Sequence, residues 1–265
     1  MTPRILIICG DNKRNLFLYN CISRVYEVSG LILQNREDAN PKPEKNLIDN
    51  DRANFILHFK NRNKFEKQYF QSCSFHKNTE VIKVSDLDVS APTIRSFIKK
   101  IKPDMVFTCG VGLIKEPLLS ELPDIKINLH SGITPKYKGA AGNFWPFYFL
   151  EPNWAGTTFH FLSSSLDMGD VIHQTTPELN YGDSIHEVAC KAMMMACYDS
   201  LKIVDTYSNN GMIPSSKQKF SGKMFLGSDF HPEHLRVIYD MFKDNIVNDF
   251  LDGKINPKGP NLVKL

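Results

Sequence analysis

The sequence predicts an α/β fold built on an open, mostly parallel β-sheet. Over roughly the first half of the chain, short apolar runs rich in β-branched residues alternate with segments of helical apolar spacing. Several of these runs end in glycine, which is typical of buried parallel strands that turn into a helix. Because ligands bind beyond the carboxyl ends of such strands, the residues that follow each run are the first candidates for a site.

The first strand–helix–strand unit is predicted from the N-terminal residues. RILIICG at 4–10 has the composition of a buried strand, and the segment 11–24 suits a helix with Asp11 as its N-cap. A second strand is predicted over 26–34. The segment 35–50 is polar and predicts a loop.

The same alternation continues to residue 130. Apolar residues recur at helical spacing over 53–70, and PDMVFTCG at 103–110 reads as a buried strand followed by glycines. The remaining elements predicted in this part are a strand at 80–88, a helix at 91–101, a short helix at 116–122 and a strand at 124–130.

The second half of the chain has a different pattern. Residues 155–179 predict two strands around a loop, and 184–207 predict a long amphipathic helix. A second amphipathic helix is predicted over 231–251. We therefore expect a main domain over residues 1–210 and a small C-terminal helical extension over 211–265, which packs on the same body or on a second subunit in a homodimer.

Composition narrows the classes of function. The net charge is +3 without a dominant basic block, which disfavours a dedicated nucleic-acid binder. No run approaches the length of a membrane span, and the apolar start is too short for a signal peptide. The six cysteines show no zinc-type spacing, so we expect no metal site and reduced core thiols in a cytoplasmic protein.

Three polar residues suggest a chemistry. Asn128 and His130 are two residues apart, so in a strand they point to the same side. Asp167 lies in the loop LDMGD between two apolar strands and can reach the same edge. An amide that donates to an oxyanion, an imidazole and a carboxylate together suit acyl transfer to an amine.

These segments resemble a known family. INLHSGITPKYKGAAGNFWPF, followed by AGTTFHFLSSSLDMGDVI, is similar to the formyltransferases that use N10-formyltetrahydrofolate. That family combines an N-x-H strand end, a proline loop with Y-[RK]-G, a T-x-H strand and a D-x-G loop, and all four occur here in order. The resemblance covers roughly residues 4–201 and implies a Rossmann-like formyltransferase fold with N10-formyltetrahydrofolate as formyl donor.

The resemblance also implies roles for particular residues. Asn128, His130 and Asp167 match the family's catalytic trio, and His160 matches a histidine often found beside it. The segments CGVGLIKEPLL and SSSLD match those that hold the two sides of the pteridine, which implies donor contacts from Gly110, Val111, Leu113, Ile114, Ser163 and Ser165. The loop HSGITP departs from the HPSLLP of several members, so its contacts are the least defined.

The acceptor amine is assigned by elimination. A tRNA formyltransferase usually has a larger C-terminal domain, and Asp11 lies where the purine-pathway enzyme grips a phosphate. We therefore expect a small nucleotide-linked amino sugar, no nucleic acid and no membrane, with Lys138, Asn143 and His160 as acceptor contacts. The aromatic run FWPFYFL supplies either core packing or a stacking surface.

Alternatives remain from other classes. A methionyl-tRNA formyltransferase-like enzyme is one, and a hydrolase that passes the formyl group to water with the same trio is another. A folate- or nucleotide-binding protein without activity is a third, although the intact trio disfavours it. A dinucleotide-binding dehydrogenase is disfavoured because CGDNKRN lacks the second and third glycines of GxGxxG.

Overall fold

The computed structural model describes residues 2–35, 38, 41–70, 74–85, 92–218 and 222–265. Cys73, the last residues of the strand predicted over 80–88, and Ala91 at the start of the next predicted helix lie outside this part of the chain, as do parts of the polar loop at 35–50 and of the C-terminal extension.

Within the described residues, seven strands form one sheet in the order β3-β2-β1-β4-β5-β7-β8. The first five strands in this order form four parallel pairs, and β5–β7 and β7–β8 are antiparallel. The strands are β1 (Ile5–Gly10), β2 (Val28–Gln34), β3 (Glu80–Val84), β4 (Met105–Cys109), β5 (Ile125–His130), β7 (Thr157–Phe161) and β8 (Val171–Thr175). The predicted fold class, an open and mostly parallel α/β sheet, is confirmed.

Helices cover both faces of this sheet. The helices are α1 (Lys13–Ser23), α2 (Asp49–Tyr69), α3 (Pro92–Ile101), α4 (Leu118–Glu121), α5 (Trp145–Tyr148), α6 (Ile185–Asn210) and α7 (Ile246–Leu251). Side chains alternate along β1, so Ile5 and Ile7 pack in one apolar cluster with α1 and α6, whereas Leu6 and Ile8 pack on the other face with α3 and α4. Among the described residues, no helix is both long and apolar enough to span a membrane.

Two local predictions are wrong. The N-cap of α1 is Asn12 rather than Asp11, because the Asn12 side chain accepts the backbone N–H of Asn15. The helix predicted over 231–251 is interrupted: a π-helical turn at Val237–Met241 is followed by α7 after a break at Lys243 and Asp244, which have φ values of 52° and 57°. The break places the Asp244 carboxylate where it accepts the backbone N–H of Ile185 at the start of α6.

The C-terminal residues pack on the loop that follows β5. A third apolar cluster joins Tyr137, Phe144 and Trp145 to Phe225 and to residues of the π-helical turn and α7. The short strands β6 (Tyr137–Gly139) and β9 (Lys223–Phe225) form a separate parallel pair, which the sequence did not predict. The rings of Trp145 and Phe225 stack with centroids 4.4 Å apart, so this part of the aromatic run is core packing.

Candidate functional site

The candidate site is a cavity of about 730 Å³ at the carboxyl ends of the strands. The strand order reverses between β1 and β4, and β5 lies next to β4. In an open α/β sheet, this is where a crevice forms and where ligands bind. The predicted catalytic residues Asn128, His130 and Asp167 all line the cavity.

Three side chains lie side by side on neighbouring strands. Asn128 on β5 is in register with Thr108 on β4 and with His160 on β7. The Thr108 hydroxyl donates to Oδ1 of Asn128 at 2.8 Å, and Nδ2 of Asn128 donates to Nε2 of His160 at 3.1 Å. Nδ1 of His160 donates to the carbonyl of Phe161 at 2.8 Å. The row therefore fixes the amide orientation of Asn128.

The carboxylate of Asp167 lies between two histidines. Oδ2 is 3.4 Å from Nδ1 of His130, and Oδ1 is 3.4 Å from Nε2 of His160. The backbone N–H of Gly139 donates to Oδ2 at 2.9 Å, and Nδ2 of Asn128 is 3.5 Å from Oδ1. Asp167 itself has φ of 51°, so its turn is left-handed.

These neighbours keep Asp167 ionised. Burial alone raises the pKa of its carboxyl, but the nearby His130, then His160, and then the Gly139 N–H outweigh burial and lower the pKa to about 2. At neutral pH the side chain is therefore a buried carboxylate with several hydrogen-bond partners. Such a group can hold an imidazole in place and accept a proton during a reaction.

His130 is held from both ring nitrogens. Nε2 is 2.9 Å from the carbonyl oxygen of Tyr137, so this nitrogen carries the hydrogen and donates it. Nδ1 faces Asp167, and a proton that arrives at Nδ1 has the carboxylate as its partner. Sequence analysis placed His130 and Asp167 at one edge of the sheet, but it did not identify the carbonyl that orients the ring.

The predicted donor-binding residues also line the cavity. Gly110 has φ of +64°, and a Cβ there would lie 2.1 Å from Nδ2 of Asn15, so this turn requires glycine. The backbone N–H of Gly112 donates to Oε1 of Gln34 at 2.9 Å, which orients the segment. The remaining predicted donor contacts that line the cavity are Val111, Leu113, Ile114, Ser163 and Ser165.

The predicted acceptor contacts fall into two groups. His160 and Asn143 line the cavity, and Oδ1 of Asn143 accepts the backbone N–H of Gly156 at 2.8 Å. Lys138 is not among the described residues that line the cavity; its side chain is buried, with Nζ 3.3 Å from the sulfur of Met168. Lys138 therefore does not line the cavity, because its side chain turns from β6 toward the loop after Asp167.

Sequence analysis missed the second wall of the cavity. This wall is formed by α1, α2, α6 and the C-terminal residues, and it includes Arg14, His58, Phe59, Arg62, His186 and Phe230. The hydroxyl of Tyr239 lies 3.0 Å from His58 and 3.3 Å from His186. Burial lowers the pKa of His58 to about 3 and that of His186 well below its usual range, so both rings are neutral. These residues come from segments that are far apart in the sequence, so no local motif could have predicted that they meet.

Comparison with known proteins identifies the family. The model of the family described as formyl transferase matches residues 47–195, more than half of the chain. A methionyl-tRNA formyltransferase from Finegoldia magna is 24% identical over 192 residues, which are 72% of this chain and 60% of that relative. The chain thus matches less than two thirds of the length of this relative. This protein belongs to the formyl transferase family.

Solved structures agree on the fold. A 4-N formyltransferase from Francisella tularensis superposes with a TM-score of 0.56 at 19% identity, over 86% of this chain and 78% of that one. A formyltransferase from Anoxybacillus kamchatkensis superposes with a TM-score of 0.50 at 18% identity, over 91% of this chain and 95% of that one. At these identities the likeness shows a shared formyltransferase fold.

Proposed function

We propose that this protein transfers a formyl group from N10-formyltetrahydrofolate to the primary amine of a nucleotide-linked amino sugar. The observation that carries the proposal is the meeting of Asn128, His130 and Asp167 within hydrogen-bond or ion-pair distance at one edge of a large cavity. The segment 110–114 and the serines at 163 and 165 form a wall beside the trio that suits the donor.

Each residue of the trio has a separate role in acyl transfer. The amine attacks the formyl carbon, a C–N bond forms, and negative charge develops on the formyl oxygen. An N–H of Asn128 stabilises that charge, which requires its long 3.5 Å contact with Asp167 to be given up. The Asp167 carboxylate accepts the proton that the amine loses, with His130 held beside it. As the bond to the folate nitrogen breaks, that proton passes to the leaving nitrogen, and the oxyanion collapses to the new formamide.

The second wall of the cavity suits an anionic acceptor with an aromatic part. Arg14 and Arg62 bring two guanidinium groups to this wall, although Arg14 is paired with Glu66 at 2.7 Å. The Arg62 guanidinium lies 4.6 Å from the centre of the Phe59 ring. Guanidinium groups bind phosphates well, and exposed ring faces stack on a nucleobase. The fold likeness extends over 91% of the chain for the A. kamchatkensis formyltransferase, whose structure holds a UDP-linked formamido sugar and tetrahydrofolate.

A methionyl-tRNA acceptor is the second candidate, because the curated relatives that match the chain carry that name. The charge balance of +3 gives it little support, since a tRNA backbone is bound mainly through clustered cations.

The deciding experiment measures both binding and product. We would titrate the protein with N5-formyltetrahydrofolate and with a panel of nucleotide-linked amino sugars, and follow formylated product and free formate by mass spectrometry with the active donor. Donor binding with formylation of one amino sugar supports the proposal. Formylation of methionyl-tRNA alone, or formate release without an amine, replaces it with the corresponding alternative.

A matched pair of variants tests the acceptor wall. Arg62→Met removes a cation that lines the cavity, and Lys64→Met removes an exposed cation from the same helix outside it. Loss of one charge-assisted contact weakens acceptor binding about tenfold or more, whereas donor binding stays the same. If both variants bind the acceptor like the wild type, Arg62 has no part in recognition.

A further inference from the structure

The chain after α6 returns to the candidate site at two places. Ser216 exchanges both backbone hydrogen bonds with Val171 at 2.8 Å, immediately after the loop that carries Asp167. Farther on, β9 pairs with β6, and the backbone N–H of Ala140 donates to the carbonyl of Phe225 at 2.7 Å. Residues 216–218 therefore lie against the end of the loop that carries Asp167, and residues 223–225 lie against β6.

Gln218 contacts the Asp167 turn directly. Its side-chain Nε2 donates to the carbonyl oxygen of Asp167 at 2.8 Å and to that of Gly169 at 2.7 Å. The turn is tight, because a Cβ at Gly169 would lie 1.7 Å from the Phe161 carbonyl, and Asp167 occupies the left-handed region at φ of 51°. A non-glycine residue held in that region needs support from its surroundings. The two hydrogen bonds from one amide supply such support across the turn.

The β6–β9 pair positions Gly139, which is a hydrogen-bond partner of the Asp167 carboxylate. Gly139 donates its backbone N–H to Oδ2 of Asp167 at 2.9 Å, and it belongs to the strand that pairs with β9. The segment after α6 thus contacts the turn that carries Asp167, and it also pairs with the strand whose backbone N–H donates to the Asp167 carboxylate. Among these contacts of the segment after α6, only those of Gln218 are made by a side chain. Substitution of Gln218 therefore leaves the backbone pairs of Ser216 and β9 in place.

We propose that Gln218 is a positioning residue for formyl transfer, which fixes Asp167 against His130 through the two carbonyls of the 167–169 turn. This inference rests on the proposed function, because it assigns Gln218 to the same reaction. Gln218 lies outside the residues 47–195 that match the family model. It makes no proposed contact with donor or acceptor, so its effect falls on turnover rather than on binding.

The test compares three variants. Gln218→Met keeps the length of the side chain and removes the donor, and Gln218→Glu replaces the donor by an oxygen that faces two carbonyls. Ser216→Ala is the matched control, since Ser216 is exposed and pairs with Val171 through its backbone. For each we would measure kcat per folate-binding site, Kd for N5-formyltetrahydrofolate, and the His130–Asp167 distance in a crystal structure.

Displacement of a catalytic group by about 1 Å costs up to about 10²-fold in rate. We therefore expect Gln218→Met and Gln218→Glu to lower kcat about tenfold to 100-fold, with donor Kd within about twofold of the wild type. The distance between Nδ1 of His130 and Oδ2 of Asp167 lengthens beyond 3.4 Å in both variants and stays the same in Ser216→Ala. A variant with the wild-type distance and the wild-type kcat overturns the proposal.

The two proposals fail in different ways. Absence of formyl transfer in the wild type would overturn the proposed function, and the crystallographic distance would still decide whether Gln218 positions Asp167. Normalising kcat to folate-binding sites removes any loss of folded protein from the comparison. If kcat and donor Kd worsen together while the distance is kept, Gln218 supports the cavity in general and is not a positioning residue.

Discussion

Nδ1 of His130 lies 3.4 Å from Oδ2 of Asp167, and both side chains are more than nine-tenths buried. His130 comes from the end of a parallel strand, whereas Asp167 comes from the loop between two antiparallel strands. Phe161 at the end of β7 lies opposite Ile127, because β7 runs antiparallel to β5. The loop that carries Asp167 therefore folds back along β5 to bring its carboxylate to His130 at the edge of the cavity.

Asn128→Ala should lower kcat by about 10²–10³, because it removes an N–H donor to the developing oxyanion. The measurement is steady-state kinetics with the active donor, with N5-formyltetrahydrofolate binding as a check on folding. Thr108→Val is a useful companion, since it removes only the hydroxyl that orients the Asn128 amide at 2.8 Å and should cost less. An unchanged kcat in Asn128→Ala would remove Asn128 from the mechanism.

Asp167→Asn should change how stability depends on pH. The pKa of Asp167 in the folded protein is about 2, below its usual value of 3.8. A carboxyl with a lowered folded pKa contributes stability above its unfolded pKa, and this contribution is lost as pH falls through the folded pKa. The wild type should therefore lose stability relative to the variant between about pH 4 and about pH 2. Melting temperatures of both proteins across this range test it, and parallel curves would contradict the assignment.

The sequence and the structure agree where local pattern decides the outcome. The continuous apolar runs of β1 and β4 follow from burial on both faces of the sheet. Asn128 and His130 share an edge because side chains in a strand repeat every two residues. The β6–β9 pair could not be predicted, because two three-residue strands carry no periodic signal. Gln218 was missed for a related reason: its partners are backbone carbonyls, which leave no mark in the sequence.

Asp51→Asn tests how the C-terminal residues are attached to α2. Both oxygens of the buried Asp51 carboxylate accept from the Arg236 guanidinium at 2.6 Å, in a bidentate pair. Loss of hydrogen bonds to a charged group should lower Tm by about 4–8 °C. Asp104→Asn is the control, because Asp104 pairs with Arg4 at an exposed site and surface pairs contribute little. Equal changes in Tm would show that Asp51 does not fasten this region.

Gly139→Ala should abolish most activity through the backbone rather than through any side chain. Gly139 has φ of +85°, and a Cβ there would lie 2.1 Å from the Phe225 carbonyl oxygen, so β6 must move away from β9. That movement withdraws the N–H that Gly139 donates to Asp167.

Gly182→Ala separates this effect from backbone strain, because Gly182 has φ of +87° but no atom within 4 Å of the added Cβ. We expect Gly182→Ala to cost about 1–2 kcal/mol of stability and to keep its kcat. Gly139→Ala should lose kcat about 10²-fold in protein that still binds the donor. Kinetics and melting curves on the two variants decide the matter: if both lose activity in proportion to stability, the Gly139 N–H does not hold the Asp167 carboxylate in its working position.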